Sequence, residues 1–375
     1  MNSEERREQR YFSRKTKRDA KKQASIAPHD NFEQVFSYKN LYRAYQKCRR
    51  NVAWKSSTQK YVTQAPLMVK RTHDALMNGT WRSKGFSEFD IWERGKVRHI
   101  RSVTMEERVV QRCLCDNALV PALRGSFIYD NAASLERRGY HFALNRLCQH
   151  LREHYHKHGT NGYILLFDFR KFFDSIPHQL CKDILRKTFK DEKLLAIADY
   201  FIDCFEGDAG LGLGSQISQT LALAAGNKID HYVKDTCGIR GYGRYMDDGY
   251  VISDSKEELF QILFGMMDIC KELGLHLNEK KTRVVKISHG FRFLKARITM
   301  TETGRIVKRI PPTSVTRARQ RLKRLAPMVK SGKIFLMDAF ASFSSWMAYA
   351  SNFKSYRTII KMSKLFTSLF LEEVF

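Results

Sequence analysis

The stretch from Gly241 to Asp254 constrains this chain most, because it places two acidic residues between two apolar runs. It reads G-Y-G-R-Y-M-D-D-G-Y-V-I-S-D, with a glycine directly after the Asp247–Asp248 pair. Apolar and aromatic residues on both sides of a short polar turn predict a β-hairpin that carries the two carboxylates at its tip. Adjacent carboxylates repel each other and call for a nearby cation. Oxygen ligands suit Mg²⁺, although a basic side chain or an ordinary turn would also account for the pair.

A third acidic residue ends another apolar run. The segment from Tyr163 to His178 reads Y-I-L-L-F-D-F-R-K-F-F-D-S-I-P-H, which predicts a buried strand that finishes at Asp168. Carboxylates that converge from separate strands can hold two metal ions about 3.5–4 Å apart, which clamp the attacking and leaving oxygens in phosphoryl transfer. The spacing of these motifs therefore favours two-metal chemistry.

The two motifs, in this order, resemble those of reverse transcriptases of the bacterial retroelement type. Asp168 matches motif A of that family, and Tyr245-Met-Asp-Asp248 matches motif C. The resemblance implies that Asp168, Asp247, Asp248 and the carbonyl of Phe169 hold two Mg²⁺ ions, with Mn²⁺ as an alternative. It also implies attack of a primer 3′-hydroxyl on the α-phosphate of a deoxynucleotide.

Further motifs of the resemblance imply other substrate contacts. The alternating, basic stretch from Gly85 to Arg101 predicts a pair of strands. The resemblance implies that they form the fingers hairpin, in which Arg98, with Lys96 second, holds the incoming triphosphate; an ordinary exposed edge guarded by charge is the other interpretation. Phe173 stands where the family places a ring against the sugar and excludes a 2′-hydroxyl; core packing is the other interpretation. Lys281 lies in a segment that resembles motif D, where it would protonate the leaving pyrophosphate or stabilise its charge; a solvated lysine in a turn is the other interpretation.

The segment from Leu211 to Gln219 resembles motif B of the family but departs from its usual pattern. It reads L-G-L-G-S-Q-I-S-Q, where most retroelement relatives carry Q-G-x-x-x-S-P. Leu213 thus replaces the leading Gln and Gln219 the closing Pro, while Gly214 is kept. This variation resembles reverse transcriptases of diversity-generating retroelements, whose copying is error-prone at adenine. An amide that could hydrogen-bond the nascent base pair is replaced by a side chain that cannot.

The charge of the chain favours a polyanionic partner. Lys and Arg number 66 against 39 Asp and Glu, which gives a net charge of +27 and a pI near 9.8. Each neutralised phosphate releases counterions, so such an excess suits nucleic acid. A ribosomal-type binding protein would share this composition, but the three clustered carboxylates would repel a phosphate backbone and argue against a purely binding role.

Two segments concentrate this positive charge. From Arg305 to Lys333 there are ten Lys or Arg and no acid, and a predicted helix brings Arg317, Arg321 and Arg324 near one face, as in a thumb that grips the template–primer backbone. Residues 1–24 carry nine Lys or Arg and four acids. They predict a mobile arm or a loose helix, either a solvated tail or a nucleic-acid contact.

Neither the cysteines nor the apolar runs indicate a secreted or membrane-bound protein. The eight Cys show no zinc-type spacing, and no run reaches the roughly 18 apolar residues of a membrane span. We therefore expect free thiols and a cytoplasmic protein without a membrane partner. His154 and His158 are four residues apart, but no third ligand is evident, which disfavours a zinc site.

The expected fold is α/β, a right-hand polymerase with an antiparallel palm sheet backed by helices. The predicted division is a basic arm over 1–31, fingers over 32–160, palm over 161–300 and thumb over 301–375. Expected partners are template RNA, a DNA or RNA primer and dNTPs, with a small accessory protein or a structured non-coding RNA as further candidates. Two alternatives stay open: the same chemistry in anti-phage defence, and an RNA-binding cofactor for intron splicing.

Overall fold

The computed structural model describes residues 3–93, 96–212 and 214–371. The chain divides into two compact units, each assembled from separate segments of sequence. The first unit comprises Met1–Ser134, Phe169–Tyr232 and Gly265–Leu277, and the second comprises Leu135–Asp168, Val233–Phe264 and Asn278–Phe375.

Seventeen α-helices lie among the described residues. They are α1 (Ser3–Ile26), α2 (Phe32–Val35), α3 (Tyr38–Cys48), α4 (Ser56–Thr63), α5 (Ala65–Met77), α6 (Met105–Leu114), α7 (Val120–Arg124), α8 (Tyr140–His158), α9 (Phe172–Ser175), α10 (His178–Arg186), α11 (Glu192–Asp203), α12 (Gln216–Ala225), α13 (Asn227–His231), α14 (Lys256–Glu272), α15 (Pro312–Lys330), α16 (Leu336–Ala350) and α17 (Tyr356–Phe370).

The strands form three antiparallel sheets among the described residues. They are β1 (Ser87–Glu93), β2 (Lys96–Ser102), β3 (Tyr163–Asp168), β4 (Tyr242–Tyr245), β5 (Asp248–Ser253), β6 (Arg283–Lys286), β7 (Phe291–Phe293), β8 (Ala296–Met300) and β9 (Ile306–Arg309). The strand orders are β1-β2, β4-β5-β3-β6 and β7-β8-β9.

The first unit is a helical body that carries the predicted basic hairpin. Strands β1 and β2 pair from Ser87 opposite Ser102 to Glu93 opposite Lys96. The helix after the hairpin begins at a side-chain cap, because the Thr104 hydroxyl accepts a hydrogen bond from the backbone N–H of Glu107 at 3.3 Å. Helix α6 is buried against α3 and α5, as its spacing of apolar residues requires.

The four-stranded sheet lies in the second unit and is covered by α8. Leu144, Leu147 and Leu151 recur on one face of α8 at helical spacing and pack against the sheet residues Ile164 and Tyr250. The core strands β3 and β5 are buried along nearly their whole length. This antiparallel sheet backed by a helix confirms the predicted α/β class.

The three-stranded sheet and the last three helices complete the second unit. A two-residue turn joins β7 to β8, and Leu294 and Lys295 have φ values of 46° and 64°, the pattern of a type I′ hairpin turn. Helices α15, α16 and α17 bury a separate cluster around Leu322, Phe343 and Phe366.

Two other observations bear on the sequence predictions. All eight cysteines are free thiols. No helix in the described ranges has both the length and the apolar character needed to cross a bilayer.

Candidate active site

The Asp247–Asp248 pair lies at the tip of the predicted hairpin. Tyr245 pairs with Asp248, so that Met246 and Asp247 alone form the turn between β4 and β5. Met246 has a φ of 58°, which the tight turn requires. Asp247 therefore sits in the turn and Asp248 begins β5, and the hairpin prediction is confirmed.

The glycine behind the pair has a packing reason. A Cβ on Gly249 would lie 2.1 Å from the ring of Phe167, the residue opposite it on β3. The Phe167 ring in turn stacks on Tyr242 of β4, with ring centres 6.2 Å apart. Glycine lets the three strands approach closely enough to place their carboxylates together.

Strand register sets two of the carboxylates directly opposite each other. Asp168, the last residue of β3, pairs with Asp248 across the sheet. Like charges in such positions repel. Burial, followed by repulsion from Asp247 and Asp168, raises the pKa of Asp248 to about 7. The ionised form of Asp248 is therefore destabilised in the folded protein, and a nearby cation would stabilise it.

In the described structure, a lysine supplies that cation. The Lys281 ammonium lies 2.8 Å and 2.7 Å from the two carboxylate oxygens of Asp168. Partial burial disfavours the ammonium, but its hydrogen bond to Asp168 and the attraction of all three carboxylates outweigh this and raise the pKa of Lys281. Lys281 is thus held protonated at neutral pH, the state that a general acid needs.

Asn278 is a site residue that the sequence did not reveal. Its backbone N–H donates to the carbonyl of Asp168 at 2.7 Å, and its side-chain amide donates to the Asp168 carboxylate at 3.1 Å. Its own carbonyl accepts from the N–H groups of Lys281 and Thr282, which closes a tight turn before β6. Asn278 therefore fixes both the Asp168 carboxylate and the turn that presents Lys281.

Arg244 is a second residue of this kind. It is 1% exposed, and its guanidinium donates to the carbonyl of Met246 at 3.0 Å. A buried arginine in an otherwise apolar strand thus supports the turn that carries Asp247. The signal in the sequence is the single cation in the run Tyr242-Gly-Arg-Tyr245.

The donor set fits magnesium only as part of a site that the substrate completes. Among the residues that the structure describes, no three His, Cys, Asp or Glu side chains are arranged as a ready metal site. Mg²⁺ is commonly held by one or two carboxylates together with substrate phosphates. Asp168, Asp247 and Asp248 offer hard oxygen ligands whose mutual repulsion a divalent ion would reduce. Metal binding by these three residues and the Phe169 carbonyl stays a proposal.

Phe173, the ring predicted to contact the sugar, lies in the first unit. Phe172 is buried and stacks on Phe169, with ring centres 4.7 Å apart, whereas Phe173 is only partly buried. Phe173 is therefore the ring with a free surface, which agrees with its predicted contact to the sugar. Its neighbour two residues before, Lys171, has a φ of 46°, so the backbone turns sharply before α9.

Of the residues predicted in motif B and in the fingers hairpin, the structure describes some and not others. Gly214 has a φ of 106°, a conformation that favours glycine, and Gln219 of α12 accepts a hydrogen bond from Ser134 at 3.0 Å. Leu213 lies outside the described residues. Lys96 and Arg98 belong to β2, but their side chains lie outside the described part of the chain.

The predicted thumb arginines lie on α15. Arg317, Arg321 and Arg324 are exposed. The two helices that share the core of α15 carry a single acid between them, Asp338. The arrangement suits contact with a phosphate backbone.

The paired histidines of α8 serve the fold of the second unit. His154 Nε2–H donates to the carbonyl of Asn161, 2.6 Å away, and His158 lies 3.3 Å from the Asp254 carboxylate. Their rings stack with centres 4.9 Å apart.

The raised pKa of Asp248 predicts a stability effect with a definite pH dependence. The folded protein holds a proton on Asp248 up to about pH 7, whereas the unfolded chain releases it near the ordinary value of 3.8. Stability therefore falls as pH rises between these values. We expect Asp248→Asn to raise the free energy of unfolding in EDTA by on the order of 2 kcal/mol at pH 8 and by much less at pH 4.

Urea unfolding across this pH range measures the effect. Asp254→Asn, an exposed carboxylate just beyond the other end of β5, is the matched control. Parallel pH profiles for the wild type and Asp248→Asn would contradict the assignment of the charge cost to Asp248.

Comparisons with known proteins identify the family. The family model "Reverse transcriptase (RNA-dependent DNA polymerase)" matches residues 69–298. No curated protein matches the chain. Among solved structures, apo telomerase from Candida tropicalis, truncated from the C-terminal domain, is similar with a TM-score of 0.46 and 14% identity, over 60% of this chain and 54% of that chain. This chain thus spans about half the length of that telomerase.

The family match covers the carboxylate site. Residues 69–298 make up more than half of the 375-residue chain and include Asp168, Asp247, Asp248 and Lys281. The chain belongs to the reverse transcriptase (RNA-dependent DNA polymerase) family.

Proposed function

We propose that the chain copies RNA into DNA by two-metal nucleotidyl transfer. One observation carries this proposal: β3 and the β4–β5 hairpin bring Asp168, Asp247 and Asp248 together, and the Lys281 ammonium binds both oxygens of Asp168. Two acids directly opposite each other in a sheet destabilise the fold, so a purely structural role does not explain this arrangement.

Each side chain has a distinct role in the proposed mechanism. When bound, Mg²⁺ would activate the primer hydroxyl and neutralise the phosphates. The carboxylates of Asp168, Asp247 and Asp248 supply its ligands, and Asn278 keeps the Asp168 carboxylate oriented. Lys281, protonated and carried on its turn, provides the proton for the departing pyrophosphate.

The family motifs suggest further substrate contacts. Phe173 excludes the 2′-hydroxyl of a ribonucleotide, Lys96 and Arg98 hold the triphosphate, and Gly214 and Gln219 shape the surface for the nascent pair. Arg317, Arg321 and Arg324 hold the backbone of the template–primer duplex. These roles follow from the family motifs and agree with the exposure of Phe173 and of the three arginines.

Primer extension tests the proposed activity. The purified chain, an RNA template with an annealed DNA primer, dNTPs and Mg²⁺ should give full-length DNA, and EDTA should stop synthesis. The same template with NTPs should give little product. Tight RNA binding without extension in Mg²⁺ or Mn²⁺ would instead support the splicing-cofactor alternative.

We further propose that copying is error-prone, as in diversity-generating retroelements. The support is the Leu213 substitution in motif B, since a leucine offers contact area but no hydrogen bond to test the geometry of the base pair. One hydrogen bond contributes about 0.5–1.5 kcal/mol, or roughly a few-fold to tenfold in discrimination.

Leu213→Gln should therefore lower misincorporation, most clearly opposite template adenine. Deep sequencing of DNA copied from one RNA template by the wild type and the variant measures the error spectrum. Leu211→Gln changes a neighbouring buried leucine and controls for a general loss of packing. Equal adenine error rates would remove Leu213 from the fidelity argument and weaken the resemblance to diversity-generating retroelements.

A further inference from the structure

Helix α1 presents a row of cations that the polymerase chemistry does not use. At 3.6 residues per turn, six of its nine basic side chains fall within about one third of its circumference. They are Arg7, Arg10, Arg14, Lys17, Arg18 and Lys21, and we call them the α1 stripe. The acidic residues Glu5, Glu8 and Asp19 lie on the other side of the helix. All the stripe side chains are exposed.

The helix is attached to the rest of the first unit through its C-terminal end. Ile26 is buried, and the next residues are anchored by a 2.8 Å contact of His29 with the Asn117 carbonyl. Asp30 accepts hydrogen bonds from the backbone N–H groups of Lys190 and Asp191 at 2.8 Å and 3.0 Å. By contrast, the side chains of residues 4–21 are exposed. A polar helix without a buried face derives little stability from packing within the chain.

The chemistry of the stripe indicates a phosphate backbone. Four of the six side chains are arginines, whose planar fork donates two parallel hydrogen bonds to a phosphate. From Arg7 to Lys21 the helix rises about 21 Å. A nucleic-acid duplex presents a charge about every 1.7 Å along its axis, so this length faces on the order of ten phosphates.

A membrane surface fits α1 less well. Helices that lie on membranes bury an apolar face among the lipid chains. The side of α1 opposite the stripe carries Glu5, Glu8 and Asp19 around the exposed ring of Phe12 instead. An anionic lipid surface would repel that side and gain little apolar contact.

We propose that the α1 stripe binds the backbone of an RNA duplex, apart from the template–primer duplex that is copied. RNA is the favoured polyanion because the family acts on RNA templates. The contact is independent of base sequence, since a row of exposed cations reads phosphates and not base edges. It would hold a structured RNA on the enzyme between rounds of synthesis. The proposal does not depend on catalysis by the carboxylates.

The first test neutralises the stripe in the full chain. The probe is an RNA hairpin with a stem of about 12 base pairs and a blocked 3′ end, so that it cannot be extended. Binding is measured by fluorescence anisotropy over a salt series in EDTA without dNTPs. Arg7→Gln, Arg10→Gln, Arg14→Gln and Lys17→Gln together should lower the salt slope by about three units and the affinity at about 100 mM salt at least tenfold.

A matched variant separates a geometric stripe from a diffuse cationic tail. Gln9→Arg with Arg10→Gln, and Thr16→Lys with Lys17→Thr, move two cations off the stripe without changing composition or net charge. This variant should lose about half as much slope as the neutralised one. The proposal would be overturned if the charge-relocated variant bound the hairpin as tightly as the wild type. It would also be overturned if the neutralised variant kept the salt slope of the wild type.

Two further measurements compare the stripe with the thumb and with a membrane surface. Arg317→Gln, Arg321→Gln and Arg324→Gln together should weaken binding of an annealed template–primer and spare the hairpin, which shows that the two contacts fail separately. Binding of anionic vesicles that requires the stripe, with no effect of the stripe on the hairpin, would replace RNA by a membrane and contradict the proposal. Thermal melting confirms that each variant is folded.

Discussion

Asp247→Asn should reduce dNTP incorporation by several orders of magnitude and leave template–primer binding nearly unchanged. Asp247 lies in the two-residue turn of the hairpin, beside the opposed pair Asp168 and Asp248. Asparagine keeps the size and one oxygen of the side chain but removes the charge that stabilises a metal ion at the transition state. The turn itself tolerates asparagine well, so the fold of the hairpin is preserved.

Single-turnover primer extension in saturating Mg²⁺ measures the chemical step, and anisotropy with the same duplex measures binding. Asp254→Asn removes one carboxylate just beyond the opposite end of β5 and serves as the control. A rate for Asp247→Asn within tenfold of wild type would show that this carboxylate is not a metal ligand. A parallel loss of binding would indicate a damaged palm instead.

The local parts of this site could be predicted from the sequence because they depend on near neighbours. The hairpin follows from a polar pair between two apolar runs, and the strand ending at Asp168 follows from five consecutive apolar residues. Thr104 caps its helix through a contact three residues along the chain. In each case the turn, strand or cap chemistry lies within one short window.

The remaining parts depend on pairing between distant segments. Asn278 meets Asp168 across 110 positions, and Lys281 meets it across 113. Nothing near Asn278 in the chain marks it as an oriented amide, since asparagine is common in turns. Arg244 is hidden for another reason: a cation in a strand is ordinarily placed at an edge or in solvent, whereas this one is buried to support a turn.

The α1 stripe could not be predicted from the sequence alone either. The count of cations in the first 24 residues is evident from composition, but it fits a disordered tail as well as a helix. Their alignment into a stripe exists only once the segment is helical from Ser3 to Ile26. The positive charge of this segment is visible in the sequence, but the cationic surface that it forms is visible only in the helix.

Lys281→Leu should lower the maximal rate of incorporation by about 10²–10³, the typical contribution of a general acid. The same change should lower the Mg²⁺ concentration needed for half-maximal activity. The second effect follows from the described contacts, because the Lys281 ammonium binds both oxygens of Asp168 and competes with a metal ion for them. Removing the ammonium makes the electrostatic potential at the three carboxylates more negative.

Magnesium titrations at saturating dNTP separate the two effects. Lys280→Leu, which removes an exposed cation one residue away, should change neither quantity by more than about twofold. Lys281→Arg keeps the charge, but its proton is bound too tightly to be released in the reaction. If Arg restores the rate, Lys281 acts as a counterion to Asp168 and not as an acid. If it restores the magnesium requirement but not the rate, charge and proton donation are separate roles of one side chain, as the geometry at Asp168 indicates.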